Sequence, residues 1–347
     1  MICVNEYKPM VMPIFARKII VGAVLLLLLP TIILFTYINS SRFLCKEKKE
    51  MRLTGQEMVY LRKALSRHVY YLAETIGERH HENPSSLDKS IDYIVHEFEQ
   101  AGYSASFEYF GEANYRNVIA ELPGVLKPDE VILVGAHYDT VWLSPGADDN
   151  ASGVAVLLEI ARIIRDRSLN KTIQFVAFGN EEQPFAAGPD MGSAVHASRA
   201  RQDDTAIVAM FSLEMLGYYT DEPGSQHYPE IIGWLYPDKA NFVGFVANLP
   251  SGKLLLQSLK SFRCNSDFPA EGLLIPENFV PDIRRSDHAS FWDQNYPALL
   301  VTDTAFYRNE NYHTLADMPD TLNYEKMAEL TIGLISMLES LSGHPVD

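Results

Sequence analysis

Cysteine is scarce in this chain, with three in 347 residues: Cys3, Cys45 and Cys264. Only Cys264 lies in the body of the chain. That excludes an internal disulfide framework there, so the fold must rest on a hydrophobic core. Positive charge is also in short supply. Residues 1–52 hold eight Lys/Arg against three Asp/Glu, leaving 21 against 42, a net of −21, for residues 53–347. Phosphate binding needs clustered positive charge, so a body this acidic argues against nucleic acid as a partner. It is compatible with cationic ligands such as a free amino terminus. Internal repeats and low-complexity tracts are absent, which argues against a solenoid. A chain that is 47% hydrophobic and 21% charged is globular.

One long uncharged run is present, IIVGAVLLLLLPTIILFTYI at residues 19–38. As a helix, twenty residues span about 30 Å, the hydrocarbon thickness of a bilayer. A cleaved signal peptide fits less well, because the region before the run reaches residue 18 and no A-x-A site follows it. The run reads as an uncleaved single-pass anchor. Lys8, Arg17 and Lys18 precede it, while Arg42, Lys46, Lys48, Lys49 and Arg52 follow, so the charge count leaves its orientation open. The expected organisation is a basic tail (1–18), an anchor (19–38), a polar linker (39–52) and a body (53–347).

Within the body, residues 54–81 read as helical, with Thr54-Gly55-Gln56-Glu57 as a capped start. Asn83-Pro84-Ser85 opens a second helix that runs to Gln100 and ends at Gly102. Strands are expected at 106–110, 117–122, 131–136, 172–178, 206–215 and 298–302, and further helices at 151–165 and 324–341. Several of these strands are nearly continuous apolar runs, as in sheets buried on both faces. Strands alternating with helices predict an α/β fold: a central mixed, mostly parallel sheet covered by helices on both faces. Residues 218–230 and 265–285, rich in Pro, Gly and polar groups, read as loops over the site.

Potential ligands collect at the ends of these strands. His137 follows 131–136, and Asp139 can hydrogen-bond its second ring nitrogen and fix the tautomer, as metal-bound histidines require. Gly146-Ala147-Asp148-Asp149-Asn150-Ala151-Ser152-Gly153 pairs two aspartates with small residues that let the backbone approach an ion; the plainer reading is an Asp-rich helix cap. Glu181-Glu182 follow the next strand, and two adjacent carboxylates repel unless a cation compensates them. Glu214 sits in apolar surroundings, where an unpaired carboxylate is costly. His313, in a polar segment, says nothing by itself.

Taken in order, H-Y-D, G-A-D-D-N-A-S-G, E-E and Y-H-T-x-x-D make the chain resemble the co-catalytic di-zinc aminopeptidases, over roughly residues 85–340. Bacterial leucyl aminopeptidases and aminopeptidase Y belong to that family; glutamate carboxypeptidases and glutaminyl cyclases are relatives. The resemblance implies a single zinc-exopeptidase domain over 53–347. Position by position, it implies that His137 and Glu214 hold one Zn2+, that Glu182 and His313 hold the other, and that Asp149 bridges them. Glu181 would be the general base and Asp139 the partner of His137. The family's non-proline cis peptide would fall at Asp149–Asn150. The substrate would be a peptide or aminoacyl compound with a free N-terminus, and the catalytic domain would face an extracytoplasmic space.

Two departures stand out. Many members carry Asp where this chain has Glu214, and the family's Glu-Glu-x-Gly-Leu is here Glu-Glu-Gln-Pro-Phe with extra residues before Gly192-Ser193. The second departure puts the shape of the specificity pocket in doubt. Ser286-Asp287-His288-Ala289-Ser290-Phe291-Trp292 also resembles a family helix, with Asp287 and His288 either lining the substrate side or capping and packing that helix. The competing functions are a one-zinc glutaminyl cyclase-like acyltransferase and a non-catalytic receptor-like protein on the same scaffold.

Overall fold

The computed structural model describes Thr36, Ile38, residues 53–230 and residues 232–343. The tail 1–18, the linker 39–52 and all of the expected anchor 19–38 except Thr36 and Ile38 lie outside the described residues. Among the described residues no helix is long and apolar enough to cross a membrane. Ile38 itself is buried, and its carbonyl accepts a hydrogen bond from Arg263 Nη1 at 2.8 Å.

Helix α1 (Gly55–Tyr70) starts on a complete capping box. Thr54 Oγ1 accepts from the Glu57 amide, and Glu57 Oε2 accepts from the Thr54 amide at 2.7 Å. A wider π-type turn, Tyr71–Ile76, continues α1, so the helical stretch stops short of the expected residue 81. Pro84 stands in the first turn of α2 (Pro84–Gln100), where its missing amide costs nothing. Then follow β1 (Ser106–Phe110), β2 (Tyr115–Leu122), β3 (Lys127–His137), α3 (Gly153–Ile164), β4 (Lys171–Phe178), α4 (Gly192–Gln202) and β5 (Ala206–Glu214). The rest comprises β6 (Val243–Ala247), α5 (Gly252–Asn265), β7 (Ala270–Leu274), α6 (His288–Asp293), β8 (Ala298–Thr302) and α7 (Tyr324–Ser342).

The eight strands form one mixed sheet in the order β1-β2-β4-β3-β5-β8-β6-β7. Its centre, β4-β3-β5-β8, is parallel throughout, and β6 runs antiparallel to β8. Residues 265–285, read as a loop, in fact contain β7. That strand is only five residues long, lies just after Pro269 and two residues before Pro276, and is held by parallel pairing to β6, a contact with no local signal.

Helices cover both faces. Ile132, Val134 and Ala136 of β3, with Ile173, Phe175 and Ala177 of β4, share a large core with α1, α2, α3, α5 and α7. The alternate residues Val131 and Leu133, with Val176 and Phe178, share a smaller core with α4 and α6. Burial on both sides is why the buried stretches of these strands are nearly continuously apolar. The carboxyl ends of the four parallel strands meet at one edge, the place where an open α/β sheet assembles its site.

Candidate metal centre

His137 is the last residue of β3, Glu181 and Glu182 follow β4, Glu214 is the last residue of β5, and His313 lies on the segment after β8. The structure brings all of them to the same edge around Asp149. His137 Nε2 lies 3.3 Å from Asp149 Oδ1 and 3.3 Å from Glu214 Oε2. His313 Nε2 lies 3.0 Å from Asp149 Oδ2 and 3.2 Å from Glu182 Oε1. The arrangement is two trios, His137–Asp149–Glu214 and Asp149–Glu182–His313, with donor atoms within 4.8 Å of one another in each.

Those spacings fit an ion. Tetrahedral ligands at zinc distances of about 2.0–2.2 Å stand roughly 3.4 Å apart. Glu182 Oε1 is buried without an aligned hydrogen-bond donor, although His313 is close, so an acceptor is left free on the inner side. The chemistry of the donors, imidazole and carboxylate, suits zinc.

Charge in the cluster points the same way. Burial pushes Glu182 up to about 7, and the Asp149 charge adds to this against the pull of His313. Burial also raises Glu181, with Glu182, Glu214 and Asp287 reinforcing it, and raises Glu214 beside Asp149. Burial disfavours a charge on His313, yet hydrogen bonds to Asp149 and Glu182 push it up to about 10. Asp149 is held well below the carboxylate range: burial opposes its charge, but the two histidines outweigh that. Carboxyls crowded this closely are an arrangement that divalent cations relieve.

Neighbouring residues fix the parts. Asp139 was expected to reach His137 through its carboxylate; instead its backbone carbonyl lies 3.2 Å from His137 Nδ1, with the carboxylate at 3.6 Å. The Asp139 carboxylate is already engaged, accepting from the Glu181 amide at 3.1 Å and the Glu182 amide at 3.0 Å. It ties the β3 end to the β4 end. Asp317, the last residue of the Y-H-T-x-x-D motif, accepts from the amides of Asp148 and Asp149. The Asp149–Asn150 peptide is cis.

The rest of the Gly146–Gly153 block serves the backbone. Asp148 Oδ1 accepts from Gly217 N, Asn150 Oδ1 from Met215 N and Ser152 Oγ from Leu216 N, while Asn150 Nδ2 donates to the Leu213 carbonyl. One loop thereby holds the exit of β5 and with it Glu214. Ser286 Oγ donates to Glu214 Oε2 at 2.7 Å. Sequence reasoning missed these roles of Asp148, Asn150, Ser152 and Ser286, because each depends on contacts 60 residues or more away.

Asp287 and His288 separate. Asp287 makes no cap for α6; its carboxylate is fully buried near Ser193 without an aligned hydrogen bond, and burial pushes it up to about 7 in spite of His137. His288 packs: its Nε2 lies 2.6 Å from the Ile283 carbonyl and its ring stands edge-on to Trp292.

A cavity of about 120 Å³ has Glu214 and Tyr312 in its wall, together with apolar groups including Tyr228, Tyr236, Phe245 and Leu300. The Tyr312 ring stacks on His313. None of Gln183–Met191 lines this cavity. That stretch folds back on Glu182, whose carbonyl accepts from Phe185 N, and places Phe185 against His81 and Tyr115. The departure from the family pattern thus falls elsewhere than this pocket.

The pattern of Peptidase family M28 matches residues 117–243. YfbL, an uncharacterized protein of Escherichia coli K12, is 37% identical over 285 residues, covering 79% of this chain and 86% of YfbL. Leucine aminopeptidase 1 of Paracoccidioides brasiliensis is 25% identical over 77% of this chain and 66% of its own length. The zinc aminopeptidase BSAP of Bacillus subtilis shares the fold, with a TM-score of 0.63 at 15% identity over 81% of this chain and 95% of BSAP. On these similarities, the chain belongs to peptidase family M28.

Proposed function

We propose that this metallo-aminopeptidase removes single residues from the free amino terminus of a peptide. Two zinc ions would be held by His137, Asp149, Glu182, Glu214 and His313, with Glu181 as general base. One observation carries the reading: the two carboxylate oxygens of Asp149 face different histidines, so two ligand trios share one residue. Zinc there would acidify a water and polarise the scissile carbonyl.

The protein's own residues do the remaining work. Glu181, raised by burial, takes the proton of the attacking water and returns it to the leaving amine. Asp139 grips the amides of Glu181 and Glu182, keeping base and ligand in fixed relation. The acidic surroundings favour a substrate ammonium, which supports exopeptidase over endopeptidase action. The cavity beside Glu214 supports a bulky apolar side chain on the residue removed.

The experiment is Glu181→Gln measured beside wild type for zinc content and for turnover of aminoacyl reporters. The variant is expected to hold both zinc ions while kcat falls about 10³-fold; a chelator should abolish wild-type turnover. Retained turnover in Glu181→Gln would sink the assignment of the base. One zinc per chain with cyclisation of amino-terminal glutamine would favour the acyltransferase reading. Full zinc without release of any amino acid would favour a binding protein.

We further propose that the catalytic domain faces an oxidising, extracytoplasmic space and that residues 19–38 hold the chain at a bilayer. The uncharged run supports the second point. The first is supported by Cys264, which is disulfide-bonded, since such bonds persist mainly outside the cytosol.

A further inference from the structure

The amino-terminal segment lies outside the matched family region, yet one side chain just after its first helix bonds the backbone that flanks the metal centre. Arg79 follows the π-type end of α1 and is fully buried. Its Nε donates to the Tyr138 carbonyl at 2.8 Å. Nη2 donates to the Gly146 carbonyl at 2.8 Å, and Nη1 to the Pro145 carbonyl at 2.7 Å. Nη1 also reaches the carbonyls of Leu72 and Gly77 at 3.0 and 2.9 Å. The backbone joins in, as Arg79 N donates to Thr140 Oγ1 and Thr140 N donates to the Arg79 carbonyl, both at 3.0 Å.

Three of these acceptors, Tyr138, Pro145 and Gly146, belong to the single loop after β3, whose two ends carry the proposed ligands; Leu72 and Gly77 tie that loop to the amino-terminal segment. Tyr138 follows His137, and Pro145-Gly146 lead into Asp149. One planar guanidinium therefore spans the gap between the first trio's imidazole and the carboxylate shared by both trios. All five acceptors are neutral carbonyls. A buried cation with no carboxylate in its grasp is costly, and here it lies in the field of Asp317, Asp139 and Asp149. A neutral clamp could join the two ends of this loop; a cationic one also restrains the mutual repulsion of the acids it holds in place.

We infer that Arg79 is a positioning residue of the metal centre, setting the separation of His137 and Asp149 through its bonds to Tyr138, Pro145 and Gly146. The inference rests on the two-trio reading of the site. Only arginine has a rigid fork of five N–H donors; a lysine keeps the charge but offers three donors from one point. Arg79→Lys thus separates clamp from charge.

The test uses the full chain, wild type and Arg79→Lys. Zinc affinity is read by competition with a chromophoric chelator, and ligand geometry by the visible spectrum of the cobalt(II)-substituted protein. Arg79→Lys should bind zinc about tenfold more weakly, as found when groups supporting metal ligands are lost. Its cobalt spectrum should shift, and kcat should fall more than KM rises. Zinc affinity within about twofold of wild type, with an unchanged cobalt spectrum, overturns the inference. If Arg79→Lys does not fold, Thr140→Val decides, since it removes only the hydroxyl that accepts the Arg79 amide. It should weaken zinc severalfold, and wild-type affinity there overturns the inference equally. A wild-type protein that binds no zinc would instead sink the reading of the site itself.

Discussion

Single residues here carry duties that their neighbours in sequence do not reveal. His288 is an example: it is fully buried and neutral, and burial lowers it to about 3 although the Ile283 carbonyl opposes that. An unfolded histidine titrates near 6.5, so the folded state binds fewer protons than the unfolded state between these values. This contribution to stability is complete above about pH 6.5 and is lost as pH falls toward 3. Between pH 7 and pH 4 it amounts to about 3 kcal/mol. His288→Gln can still donate to Ile283 and does not titrate. Urea midpoints measured at both pH values should fall less for the variant than for wild type; equal acid losses would contradict the burial argument.

Elements were legible where their signal is local. The capping box at Thr54 and the proline-led start of α2 are complete within four residues, and both helices begin where the sequence places them. The apolar runs of β3, β4 and β5 expose their two-sided burial directly. By contrast, β6, β7 and α4 were not read, because Gly-Phe-Val, Gly-Leu-Leu and an Arg-rich helix acquire their identity from packing partners. The same division holds for the site. Strand ends displayed the chemistry-bearing residues, and the family resemblance supplied their pairing. The bonds of Asp148, Asn150, Ser152 and Arg79 needed three dimensions, since their acceptors and donors are backbone groups of other loops.

Junctions between elements can be tested at α4. Gly192 N donates to the Gly179 carbonyl at 2.8 Å, and a Cβ at Gly192 would stand 2.3 Å from Asn117 Oδ1 and 2.4 Å from the Gly179 carbonyl oxygen. These are backbone and bonded groups that cannot simply swing away. Gly192→Ala should therefore cost about 2–3 kcal/mol, read as a lower urea midpoint with unchanged slope. An unaltered midpoint would mean that this junction is looser than its contacts indicate.

At the scale of the whole molecule, the disulfide-bonded Cys264 and the uncharged amino-terminal run make a joint prediction about where the chain resides. Cells producing the full chain should yield it in the membrane fraction after a high-pH wash, in a form whose mobility on a gel changes with reductant. Protein recovered from the soluble cytosol with Cys264 fully reactive toward a thiol reagent would refute the proposed location. The fold class was readable from the sequence at this scale because strands and helices alternate over the body, and the family through the resemblance of its ordered motifs. The asymmetry, among the described residues, between a large layer on one face and a small two-helix layer on the other was not, since nothing local states which face of the sheet a helix will cover.

The separation of ligands from pocket walls has a consequence for how such an enzyme can diversify. Four of the five proposed ligands and the proposed base come from residues 137–214, locked together by Asp148, Asn150, Ser152 and Asp139. Apart from Glu214, the cavity is walled by residues 228–312, drawn from β6, β7, β8 and their connections. Substitutions in the second set can reshape what is accepted without touching the bonds that organise the first. On the proposed roles, chemistry and preference occupy separate stretches of the gene, and directed mutagenesis across residues 228–285 should alter selectivity on an unaltered centre.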